Sequence, residues 1–87
     1  DNYYFSNDYP NPFNSFCTIK YLIPRLSGAK LKIFNTLGEE IKTLVNEEKP
    51  VGTYNINWDA TNLPSGVYFY RLQAGEFVQT RKMILSK

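Results

Sequence analysis

Apolar and polar positions along this chain alternate in short runs, and nearly every run stops at a cluster of Gly, Pro or Asn. Between Thr53 and Trp58, the residues Tyr54, Ile56 and Trp58 fall on one side and Thr53, Asn55 and Asn57 on the other. That period of two marks an antiparallel strand with one buried face. Phe16 to Ile23 repeats the pattern, with Ile19, Tyr21 and Ile23 opposite Thr18, Lys20 and Leu22. Lys30 to Asn35 sets Leu31 and Ile33 against Lys30 and Lys32. Glu39 to Val45 is a returning strand whose apolar Ile41, Leu44 and Val45 are out of step, which a bulge or sheet switch near Thr43 repairs. Val67 to Gln73 and Glu76 to Leu85 make a final hairpin, the longest in the chain. No helical spacing is sustained anywhere, and no internal repeat is evident.

The connections carry matching turn chemistry. Asn35-Thr36-Leu37-Gly38 is a hairpin turn with Gly38 as its left-handed residue. Asp59 to Gly66 is a corner in which Pro64 presets φ and Gly66 frees the last position. Ala74-Gly75 is the tight turn of the last hairpin. Pro24 to Ala29 and the charged Asn46 to Gly52 are expected to be loops. Residues 1–14 are expected to be a lead-in or linker, and 15–87 the folded domain. Within the lead-in, Tyr3 to Phe5 suits a short edge strand, while Pro10 and Pro12 forbid regular pairing and lay the chain across one end of the body, with Tyr9 and Phe13 as anchors. Six firm strands and this seventh, all with short connections, predict an all-β, immunoglobulin-like antiparallel β-sandwich.

Composition narrows the chemistry. The 87 residues are 16% aromatic and contain no histidine and one cysteine. An internal disulfide is therefore impossible, and Cys17 is expected to be a small buried hydrophobe. Without histidine, Ser/His and Cys/His catalysis and most transition-metal sites are unavailable. Glu39 and Glu40 are strand neighbours and face opposite ways, and Glu47 and Glu48 are placed in a loop, so neither pair suits paired-carboxylate chemistry. Asp59 and Asn62 are better turn acceptors than calcium ligands, since calcium wants six or more oxygens. No metal or cofactor and no catalytic residue is expected. The Tyr68-Phe69-Tyr70 run and Trp58 have two readings, core packing or a sugar-binding aromatic row, and core packing is favoured.

The net charge of +2 is too mild for nucleic-acid binding. From Ala60 onward Arg71, Arg81, Lys82 and Lys87 face only Glu76. This is either a solvated strand face or a patch that a receptor or acidic surface lipid reads. No segment reaches membrane-spanning length, and no signal segment is seen at the start, so any export signal is expected to lie elsewhere, in a parent chain.

Ordered motifs add a family resemblance. Tyr9-Pro10-Asn11-Pro12-Phe13-Asn14, then Thr18-Ile19-Lys20-Tyr21, Leu31-Lys32-Ile33-Phe34-Asn35 with Leu37-Gly38, Gly52-Thr53-Tyr54, Trp58-Asp59, Leu63-Pro64-Ser65-Gly66-Val67-Tyr68, Tyr70-Arg71-Leu72 and Lys82-Met83 to Lys87 follow one another along the chain. Together they resemble the type A C-terminal sorting domain of the type IX (Por) secretion system of Bacteroidota. The resemblance implies a non-catalytic address at the end of a cargo protein. The parent would pass through the periplasm to the cell surface or extracellular space. Its partners would be the outer-membrane translocon, a sortase-like peptidase cutting upstream of Tyr9, and the N-terminal cargo domains. Recognition positions would be Gly66, Tyr68, Lys82, Leu85 and Lys87. Pro10, Pro12, Gly38, Trp58, Asp59, Pro64 and Gly66 would be structural. Two competing readings are a carbohydrate-binding module and an immunoglobulin-like spacer of an extracellular enzyme.

Overall fold

Seven strands follow one another without a helix in the computed structural model, which describes residues 4–9, as backbone only, and 15–86. They are β1 (Tyr4–Tyr9), β2 (Phe16–Ile23), β3 (Ser27–Phe34), β4 (Glu40–Lys49), β5 (Gly52–Asp59), β6 (Gly66–Ala74) and β7 (Phe77–Leu85). Two antiparallel sheets result, β1-β2-β5 and β4-β3-β6-β7. The expected sandwich of six to seven strands is what the chain forms. The lead-in contributes β1, an edge strand longer than Tyr3–Phe5. Pro10, Pro12, Phe13 and Lys87 lie outside the described residues, as does the side chain of Tyr9.

The inward positions are those the alternation marked. Ile19, Tyr21 and Ile23 on β2 and Leu31 and Ile33 on β3 are buried, with Trp58, Tyr70, Leu72 and Met83 among the largest enclosed side chains. Tyr68 and Tyr70 both face this core and Phe69 faces away, half-buried, so core packing is the correct reading of that run. Cys17 is 1% exposed. Burial pushes its thiol up to about 11, far from the range of a reactive nucleophile.

Two expected loops are shorter than expected, and half or more of each is strand. β3 starts at Ser27, not Lys30, and β4 runs to Lys49, leaving only Pro50 and Val51 before β5. Glu47 and Glu48 therefore sit on a strand, opposite Ala29 and Gly28. The charges mislead because β4 is an edge strand, paired only with β3, so its polar side chains meet water. The irregular apolar positions of β4 have a matching cause. Its register against β3 slips between Val45 and Thr43 and again between Lys42 and Glu40. Leu44 and Ile41 are the extra residues, and both turn half-buried against the core.

Candidate functional site

The Asp59–Gly66 corner and the final hairpin carry the candidate residues. At the corner, the Thr61 N–H and hydroxyl both donate to Asp59 Oδ1, the N–H at 2.9 Å. Leu63 N–H donates to the Ala60 carbonyl at 3.0 Å, and Ala60 N–H donates to the Ser15 carbonyl at 2.7 Å. The turn is thus tied to the start of β2. Gly66 has φ of 154°, a backbone region that essentially only glycine enters. A Cβ there would touch nothing within 4 Å, so the demand on this position comes from the backbone and not from crowding. Gly38, at φ 82°, closes the β3–β4 turn, where Asn35 Oδ1 accepts the N–H groups of Leu37 and Glu39 at 2.9 Å each.

Tyr68 leaves the corner pointing inward and returns its hydroxyl to the Pro64 carbonyl, donating at 2.7 Å. Tyr54 does the same to the Pro50 carbonyl at 2.7 Å. Both belong to one pentapeptide pattern, Pro-x-Gly-x-Tyr: Pro50-Val51-Gly52-Thr53-Tyr54 and Pro64-Ser65-Gly66-Val67-Tyr68. Each opens a strand, β5 and then β6, and each pins the incoming turn to the strand by a tyrosine corner. A short internal repeat therefore exists where none was expected; the identical spacing of Pro, Gly and Tyr was the signal available. The two copies are not equivalent. Tyr68 is 5% exposed, whereas the Tyr54 bond is open to solvent and the ring lies over Gly52, whose Cβ would stand 3.5 Å from it. Tyr68→Phe is expected to cost about 1–1.5 kcal/mol and Tyr54→Phe less than about 0.5 kcal/mol, because the Tyr68 bond is part-buried and the Tyr54 bond is exposed, where water replaces it. Urea midpoints of the two variants measure this, and an inverted order contradicts it.

The hairpin divides its candidates between inside and outside. Leu85, 1% exposed, and Tyr68 lie in the core, while Gly66 and Lys82 are at the surface. β7 is a sheet edge, paired only with β6. Its outward residues include Val78, Thr80, Lys82 and Ile84, and Lys82 stands across from Phe69. Arg71, across from Thr80, lays its guanidinium over Phe34 at 4.6 Å. Beside Arg71 on the same face, toward β4, Lys32 pairs with Glu40 at 3.1 Å. The Thr43 hydroxyl donates to Glu40 at 2.7 Å, and this bond, then Lys32, holds the Glu40 carboxyl below its usual range. The outer face is therefore a basic and apolar strip along β6 and β7, bordered by a neutralised pair.

Among the described residues no three His, Cys, Asp or Glu side chains converge as metal ligands. Among the described residues the aromatic side chains form no exposed coplanar row. Phe16 is the one aromatic that is mostly exposed among the described residues, and Phe34 is capped by Arg71. Among the described residues no helix is long and apolar enough to cross a membrane.

A protein-family model described as the secretion system C-terminal sorting domain matches residues 7–86. Comparison with curated proteins and with solved structures found no match.

Proposed function

The chain belongs to the family of type IX secretion system C-terminal sorting domains, and from that premise we propose that it is read as a folded address by the outer-membrane translocon, on a cargo delivered from the periplasm, and removed by a sortase-like peptidase acting upstream of Tyr9. The observation that carries this reading is the extent of the family match, which spans both sheets. A receptor that must accept many cargos gains by recognising one rigid module. The outer face of the β6–β7 hairpin supplies such a surface, with Lys82 and Ile84 facing out, and Gly66 opposite Leu85 at its end. Tyr68 and Leu85 act on recognition by shaping that face from inside, as positioning residues.

The test fuses the 87-residue chain to the C-terminus of a secreted reporter in a bacterium that has the system. The fused reporter is expected at the cell surface, and the reporter alone inside. A Lys82→Glu, Ile84→Thr variant, changed only on the outer face, is expected to lower surface delivery by about tenfold, the loss of roughly 1.4 kcal/mol of recognition, with the melting temperature of the isolated chain nearly unchanged. Equal delivery without the chain sinks the address reading; wild-type delivery by the variant sinks the β7 assignment.

A further inference from the structure

The two sheets are unequal in width, four strands against three. Their β1 and β7 edges meet, so the surplus strand, β4, overhangs the free edge of β5. Beneath the overhang runs an open cleft of about 300 Å³, with Leu44 and Val45 on one wall, Tyr54 and Ile56 on the other and Tyr21 behind; Glu47 and Lys49 of β4 line it too, paired with each other at 2.7 Å, with Lys49 over the Tyr54 ring at 5.0 Å. Tyr21 and Tyr54 stack there with ring centroids 5.3 Å apart. Leu44, Tyr54 and Ile56 pack on the core yet remain half-open on this side. The cleft has the position of an absent fourth strand beside β5.

The edges of the sandwich differ in how they are guarded. Native edge strands are blunted by charge, proline or bulges. β4 carries Glu40, Lys42, Glu47, Glu48 and Lys49 and two register slips. β7 carries Arg81 and Lys82, and β1 carries Asp8 and a slip after Asn7. β5 has no charge from Gly52 to Trp58, no proline, and unbroken register with β2 along all eight residues.

We propose that the β5 edge, under the β4 overhang, binds one extended strand of a partner protein, uncharged and apolar at every second position. The added strand would hydrogen-bond to β5 and seat its apolar side chains between Ile56 and Leu44, as in strand addition generally. An uncharged strand is selected because β5 is neutral from Gly52 to Trp58 and the charges that line the cleft, Glu47 and Lys49, already neutralise each other at 2.7 Å. Hydroxyl or amide side chains at the alternate positions would continue the row of Thr53, Asn55 and Asn57. Within these 87 residues, no stretch outside the described ones exceeds five residues, 10–14, too short to line β5. A second copy is disfavoured by the overhang. An antiparallel β5-to-β5 pair would bring each copy's four-stranded sheet into the other's β4, and the slot has room for one strand. The inference stands apart from the export reading, and its failure leaves that reading untouched.

The probe is an end-blocked peptide of alternating threonine and valine with a lysine at each end, titrated into the isotope-labelled 87-residue chain and followed by amide NMR and hydrogen exchange. Saturable shifts are expected on Thr53 to Trp58 and on Leu44 and Val45, with new exchange protection on β5. A peptide with proline at its centre should not bind. Ile56→Lys and Leu44→Lys, which approach the slot from different sheets, should each weaken binding by about tenfold or more, since inward charge is a known guard of edges. Absence of saturable shifts on β5 overturns the proposal, as does binding confined to β7 or β4. Protection of the β5 edge amides in the dilute free chain would mean that the chain covers itself. Concentration-dependent sedimentation that protects the same amides would assign the edge to a second copy. Either result also overturns it.

Discussion

A chain ending at Lys82 is expected not to fold. The deletion takes Met83 and Leu85, which are 0% and 1% exposed. It also strips the last ladder partners of β6, since Met83, Ile84 and Leu85 stand opposite Tyr68, Val67 and Gly66. Losing a buried Met or Leu side chain costs about 2–5 kcal/mol each. A domain of this length has a total margin of roughly 4–13 kcal/mol. The two losses alone are comparable with that margin, before the exposed inner face of β6 is counted. Trp58 fluorescence and amide NMR dispersion of the truncated chain measure the outcome. Cooperative melting within about 5 °C of the full chain, a difference worth only about 1 kcal/mol, contradicts the expectation. The consequence reaches function: retention of a truncated cargo inside the cell would report unfolding as readily as loss of a receptor contact. Outer-face changes at Lys82 and Ile84 separate the two, because they leave the core intact.

How far the sequence discloses this molecule depends on which side of a strand is asked about. Where one face is buried and the other wet, alternation carries the information, and β2, β5 and the β6–β7 hairpin are legible to within a residue or two. The inner residues Ile19, Tyr21, Trp58 and Tyr70 follow from the same signal. Edge strands are less legible. β4 faces solvent along its free edge and has two bulged residues, so its hydrophobic period is broken and its Asn46–Lys49 end resembles a loop. Length at the sheet's rim is set by pairing with Ser27 to Ala29, a long-range fact that no local window contains.

The candidate site was legible in its turns and illegible in its partition. Gly66, Pro64 and Asp59 can be placed from turn chemistry alone. That Lys82 faces out while Leu85 and Tyr68 face in depends on register against β6. The doubled Pro-x-Gly-x-Tyr was visible as spacing, yet its meaning requires the hydroxyl-to-carbonyl bonds of Tyr54 and Tyr68. The unguarded edge of β5 is a matter of sheet order, since the same residues in a central strand would be unremarkable. What the chain keeps neutral and regular there, against charged or bulged edges elsewhere, is informative only once the edges are known.

Trp58→Ala is expected to be the most damaging single substitution in the core. Trp58 is 2% exposed, at the end of β5 and opposite Cys17 on β2. Its ring meets Tyr68 of the other sheet edge-on, with centroids 5.8 Å apart and planes at 74°. One side chain thus joins the three-stranded sheet to the tyrosine corner that opens β6. Truncating a buried Trp to Ala costs about 3–5 kcal/mol, and the aromatic pair accounts for about 0.5–1.5 kcal/mol of interaction beyond area. At about 4–8 °C per kcal/mol for a domain of this size, the melting temperature should fall by more than about 15 °C. Trp58→Phe keeps an aromatic ring near Tyr68 and should recover more than half of the loss. Far-UV circular dichroism or calorimetry reads both, since the substitution removes the only indole. Coupling is the sharper check. If Trp58 holds Tyr68 in place, Tyr68→Phe should cost less in the Trp58→Phe background than in the native one, by about 0.5 kcal/mol or more. Strict additivity would show that the corner and the indole act independently, and a fall in melting temperature under about 5 °C for Trp58→Ala would remove Trp58 from its central place.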